Sequence, residues 1–139
     1  MKTPYDAAIR VRQREVDELR KRIEAERGRL DQIEKRLDAV GAGLARETRL
    51  AASDRALNAQ AYIDLLRAER GRLLAEKPLV EASLAALRDT AAEAYGALRA
   101  IETAATEYRH EAARAIANAE QGMLDDMAAT SLLQRSARR

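Results

Sequence analysis

The sequence predicts an all-α protein: a long antiparallel two-helix coiled-coil hairpin whose second helix is longer than the first. Three observations carry this. Apolar residues recur at alternating three- and four-residue spacing over two long stretches, the pattern of a helix with one buried seam. Charged residues make up 35% of the 139 positions and aromatics only 3%, so a packed sphere is excluded, yet the 47% apolar share, mostly Ala and Leu, is too large for disorder. β-Branched and aromatic residues are scarce and no alternating run occurs, which excludes sheets.

The first helix follows from Ile9, Val16, Ile23, Leu30, Leu37 and Leu44, seven apart, interleaved with Arg12, Leu19, Glu26, Ile33 and Val40. Thr3-Pro4 marks its start, because the missing proline N–H costs nothing in a first turn. Asp17/Lys21, Glu18/Arg22 and Asp31/Lys35 stand four apart, acid first, the better order for a helical pair. Helix 1 is expected over about 4–50. The turn is expected over about 51–58, where Ser53, Asp54 and Asn58 can each cap a helix.

The second helix, expected over about 59–128, has its own phase. One seam position holds Ile63, Arg70, Lys77, Leu84, Ala91, Leu98 and Ala105, and the other Leu66, Leu73, Val80, Leu87, Ala94, Ile101 and Tyr108. Gly41, Gly43 and Pro78 would favour a rival three-helix bundle. The heptad phase runs unbroken through all three, which favours the hairpin. Arg70 and Lys77 on the seam are expected to lay their stems over apolar surface and reach acids such as Glu26 or Glu47 on helix 1, setting register. Residues 129–139 read as a frayed basic tail.

Length arithmetic adds an overhang. A helix of about 46 residues leaves roughly 20–25 residues of its longer partner uncovered, about 35 Å at 1.5 Å per residue. This places the overhang at about 105–128, with a small-sided apolar face, widened by Ile116 and Met123, that needs a partner.

Signatures of catalysis are missing. There is no Cys, so no thiolate chemistry, disulfide or Cys-based metal site, which suits a reducing cytosol. Gly41-Ala42-Gly43 lacks the lysine and strand of a phosphate loop. His110, beside Glu107 and Glu111, is the sole imidazole and reads as a solvated side chain. A two-helix hairpin offers no pocket to shift the carboxylates of Asp125, Asp126, Glu24 or Glu26, so no enzyme, cofactor or metal is expected. The opening residues lack an apolar secretory core and no stretch is long enough to span a bilayer, so neither secretion nor membrane insertion is expected. Arginine supplies 21 of the 25 basic residues, but they spread around the helix and are diluted by acids to a net charge of +2. That argues against nucleic acid and favours a solvated surface for the arginines dense at Arg10, Arg12, Arg14, Arg20, Arg22, Arg27 and Arg29, with docking on an acidic protein groove as the sharper alternative.

Thr3-Pro4-Tyr5 to Val16-Asp17, the unbroken heptads, the small-residue turn, and Ala59-Gln60-Ala61-Tyr62-Ile63-Asp64-Leu65-Leu66 opening helix 2 resemble the FliJ family of bacterial flagellar type III export proteins. The family fold is an antiparallel two-helix coiled coil similar to the gamma-subunit stalk of rotary ATP synthases. The resemblance implies a non-enzymatic stalk, cytoplasmic and peripheral at the inner-membrane export apparatus. Its partners would be the hexameric export ATPase at the end carrying both termini, an export-gate membrane protein at the hairpin half, and export chaperones that it escorts and recycles. It implies a gate contact at Tyr62, Leu65, Leu66, Glu69 and Leu73, although Glu69 stands where a small residue is expected and Leu66 and Leu73 are also seam residues. For the ATPase ring, location in the overhang selects Tyr108, Arg109, Ile116 and Met123, and charge adds Arg10 and Arg14. The alternatives are the equivalent stalk of an injectisome, which shares the fold, and a structural or scaffolding coiled coil dimerising through the overhang.

Overall fold

The computed structural model describes residues 1–52 and 56–139, with the side chains of 56–58 also outside the description. It holds two helices packed against each other, α1 (Asp6–Ala51) and the longer α2 (Ala56–Ala137), and no strand among the described residues. Ser53, Asp54 and Asn58, the expected caps, lie outside the described side chains.

Helix α1 runs unbroken through Gly41 and Gly43, and α2 through Pro78. The three-helix rival therefore fails. The glycines and Pro78 cost local stability, but the apolar seam on either side holds each helix in phase. Helix α2 also passes the stop expected near 128 and continues to Ala137, so the tail is helical up to that residue. Nothing there breaks a helix: the segment has neither Gly nor Pro, and Thr130 turns its hydroxyl back onto the Asp126 carbonyl at 2.9 Å.

The chain divides into two compact units, Arg14–Tyr95 and Met1–Gln13 with Gly96–Arg139. In the first, the C-terminal part of α1 pairs antiparallel with the start of α2. Val16, Leu19, Ile33 and Val40 meet Ile63, Leu66, Val80, Leu84 and Ala94 at buried positions of the expected stripes. Gly43 is buried beside Leu66: a Cβ there would come 3.4 Å from Leu66 Cδ1, in van der Waals contact with the facing side chain of α2.

One seam expectation is corrected here. Arg70 points to solvent, and Glu69 turns inward instead to accept two hydrogen bonds from Arg36, one from Nη2 at 3.0 Å. A guanidinium keeps its hydration on the outer side, while a half-buried carboxylate is tolerable when a forked cation grips both oxygens. Lys77 does stay half-buried, and its ammonium lies 3.7 Å from Glu34 rather than at Glu26 or Glu47. Arg29 bridges Glu26 on its own helix and Glu76 on α2. On the outer surface Asp31 and Lys35 pair as expected, whereas Asp17 meets Arg20 and not Lys21.

In the second unit, Thr3 caps the start of α1. Its N–H donates to Asp6 Oδ2 at 3.1 Å, its hydroxyl donates to Asp6 Oδ1 at 2.7 Å, and the Tyr5 N–H donates to the Thr3 hydroxyl at 3.3 Å. This is a reciprocal capping box with Pro4 in the first turn. In the α2 part of this unit the buried residues are Leu98 and Ala105.

Candidate functional site

The coverage of α2 ends later than the length arithmetic expects. Ala105 is 1% exposed and Ala112 is half-buried, and every residue from 113 onward is exposed. The residues ahead of α1 explain the difference. Residues 1–5 precede the helix and lie along α2, so they cover positions of α2 that α1 itself does not reach. The Tyr5 ring meets Tyr108 edge-on, with centroids 6.4 Å apart and an interplanar angle of 79°. Arg109 donates from Nε to the Met1 carbonyl at 3.4 Å and holds Nη2 3.9 Å from Asp6. Tyr108 and Arg109 are therefore anchors of the N-terminus, and the overhang proper is 113–137.

Two features of this unit can bind. One is an open cationic cleft lined by Lys2, Asp6, Ile9, Arg10 and Arg109. The two hydrogen bonds from Thr3 tie down the only acid in it and hold its carboxyl below the ordinary value. The cleft therefore presents three cations against one carboxylate already engaged. The other is the overhang, where Ile116, Met123, Leu124 and Met127 stand exposed with no residue of α1 over them. Arg10 and Arg109 are brought together by the structure, as are Ile116 and Met123 on one helix. Arg14 belongs to the other unit, where it is exposed.

The hairpin-side candidates divide between surface and seam. Tyr62 and Leu65 are exposed, as is Leu79. Leu66 is buried in the seam, Leu73 is half-buried, and Glu69 is occupied by Arg36, whose two hydrogen bonds hold its carboxyl below the ordinary value. The five residues thus do not share one exposed face. What this unit offers a partner is Tyr62 with Leu65.

The sequence reading missed two devices with legible signals. Thr3-x-x-Asp6 is a capping-box pattern. Arg29 and Arg36 stand one heptad apart on α1, as do Glu69 and Glu76 on α2, which is the spacing two cross-seam ion pairs require.

Among the described residues no group of three or more His, Cys, Asp or Glu side chains could hold a metal, and no helix is long and apolar enough to cross a membrane. The chain matches no family model, no curated protein and no solved structure.

Proposed function

We propose that the chain is a non-enzymatic stalk of the flagellar type III protein export apparatus, working in the cytoplasm at the inner-membrane export machinery. It docks in the pore of the hexameric export ATPase through the unit that holds Met1 and the overhang. It meets the export-gate membrane protein through Tyr62 and Leu65, and it escorts and recycles export chaperones.

The observation that carries this reading is the overhang. Helix α2 continues about 37 Å beyond Ala112, its last half-buried residue, at 1.5 Å per residue, with large apolar side chains left open to water. Such a helix is poorly stable alone and is completed by a partner surface. The Lys2, Arg10 and Arg109 cleft adds a cationic contact in the same unit. The family resemblance of the N-terminal heptads and of the Ala59–Leu66 segment names the ring as that partner. An asymmetric helix pair in a six-fold ring touches its subunits unequally, and so biases which catalytic interface closes through its differential affinity for the open and closed forms.

Sedimentation of the purified chain with the purified export ATPase from the same bacterium tests the proposal. Co-sedimentation as one chain per ring, weakened by Arg10→Glu with Arg109→Glu, is expected. Independent sedimentation of the two proteins overturns it.

A further inference from the structure

Ala105, Ala112, Ile116, Ala119, Met123 and Met127 fall within about 80° of arc on α2 at 3.6 residues per turn. The seam buried at Ala105 therefore continues as an open stripe from Ile116 to Met127. Its chemistry is one-sided. Between 112 and 131 the charged residues beside the stripe are Glu120 and Asp126, which form no ion pair among the described residues. Arg114 and Asp125 lie on the back of the helix, and Asp125 accepts from Gln121 at 3.1 Å.

We propose that this face, centred on Ile116, Met123 and Met127, is a docking face for a basic amphipathic helix of a partner protein. The partner lays an apolar stripe along the methionines and sets Lys or Arg against Glu120 and Asp126. The two thioether side chains adapt to whichever apolar residues arrive. Charge selects this occupant over others. An anionic lipid surface would repel these two carboxylates, and a cationic helix neutralises both. The inference rests on the stalk reading only for which protein supplies the helix.

The test uses the full chain labelled at its methionine methyl carbons. Three signals result, from Met1, Met123 and Met127. The probe is an 18-residue helical peptide of leucine and lysine with leucines at i, i+3, i+4 and i+7, set against its leucine and glutamate counterpart. Saturable shifts of Met123 and Met127 with the lysine peptide, at least tenfold tighter than with the glutamate peptide, are expected. By calorimetry, Met123→Ser with Met127→Ser, and separately Glu120→Lys with Asp126→Lys, weaken binding at least tenfold. Asp89→Lys with Glu93→Lys, which makes the same charge change on exposed residues of the other unit, leaves it unchanged. All six residues are exposed, so these variants keep the fold. Unmoved methionine signals, equal binding of both peptides, equal weakening by the Asp89 and Glu93 pair, or concentration-dependent shifts without peptide would each overturn the proposal. Peptide binding without ATPase binding would remove the ring while keeping the docking face. ATPase binding that leaves both methionine signals unmoved would do the reverse.

Discussion

Val40 and Val11 are the same residue on the same helix in opposite environments, 1% and 61% exposed respectively. Val40→Ala removes two buried methyl-sized groups, about 1.6 kcal/mol at about 0.8 kcal/mol each. Incomplete closure of the cavity adds on the order of 1 kcal/mol. Alanine's better helix propensity returns about 0.5 kcal/mol. The net loss is about 2 kcal/mol. Val11→Ala keeps the propensity gain and loses little burial, so it stabilises by up to about 0.5 kcal/mol. Urea unfolding of the full chain, followed by helical circular dichroism, reads the difference. With a slope of about 2 kcal/mol per molar, Val40→Ala lowers the midpoint by about 1 M and Val11→Ala raises it slightly, with the slope unchanged. A Val40→Ala midpoint equal to the unsubstituted chain's, or equal losses for both variants, would refute the assignment of Val40 to the seam.

Further outcomes follow from the same structure. A Cβ at Gly41 meets nothing within 4 Å, so Gly41→Ala raises stability by about 0.5–1 kcal/mol, whereas Gly43→Ala, which must fit against Leu66 Cδ1, gains less; urea midpoints rank the two. Pro78→Ala restores the N–H that the Leu74 carbonyl lacks and stabilises by up to about 3 kcal/mol, seen as a higher thermal midpoint. Asp6 and Glu69 both have folded-state pKa values below the ordinary 3.8 and 4.5. Their contribution is therefore complete above those values and is lost as pH falls through the lower folded ones. Thermal midpoints taken from pH 7 down to 2 should fall at the acid end, and the fall should flatten when Arg36→Gln removes the guanidinium that holds Glu69, and less so when Thr3→Val removes the hydroxyl but leaves the backbone N–H that also donates to Asp6.

The stripes on α1 were legible because all its buried layers but Gly43 are large aliphatic residues, and period alone finds those. Arg70 was misread for a related reason. A strict seven-residue count places it on the seam, but 3.6 residues per turn lets a helix rotate slightly, and hydration decided between Arg70 and its neighbour Glu69. The ladder of Arg29 and Arg36 against Glu69 and Glu76 needed both helices in register before it could be seen. The overhang was predictable as a length difference, but its start was not, because residues ahead of α1 cover α2 without being helical. The apolar positions 116, 123 and 127 were visible only in part: Met127 lies off the heptad count and joins Ile116 and Met123 only on an α-helix of natural pitch.

The most direct test of the stalk reading is the rate of ATP hydrolysis by the export ATPase, measured with the full chain and with a chain ending at Ala112. That truncation removes only residues that α1 does not cover, so the paired helices remain. The account predicts stimulation by the full chain that is lost with the shorter one. Hydrolysis unchanged by either chain, together with a stable self-dimer in light scattering, would contradict it and leave a structural coiled coil.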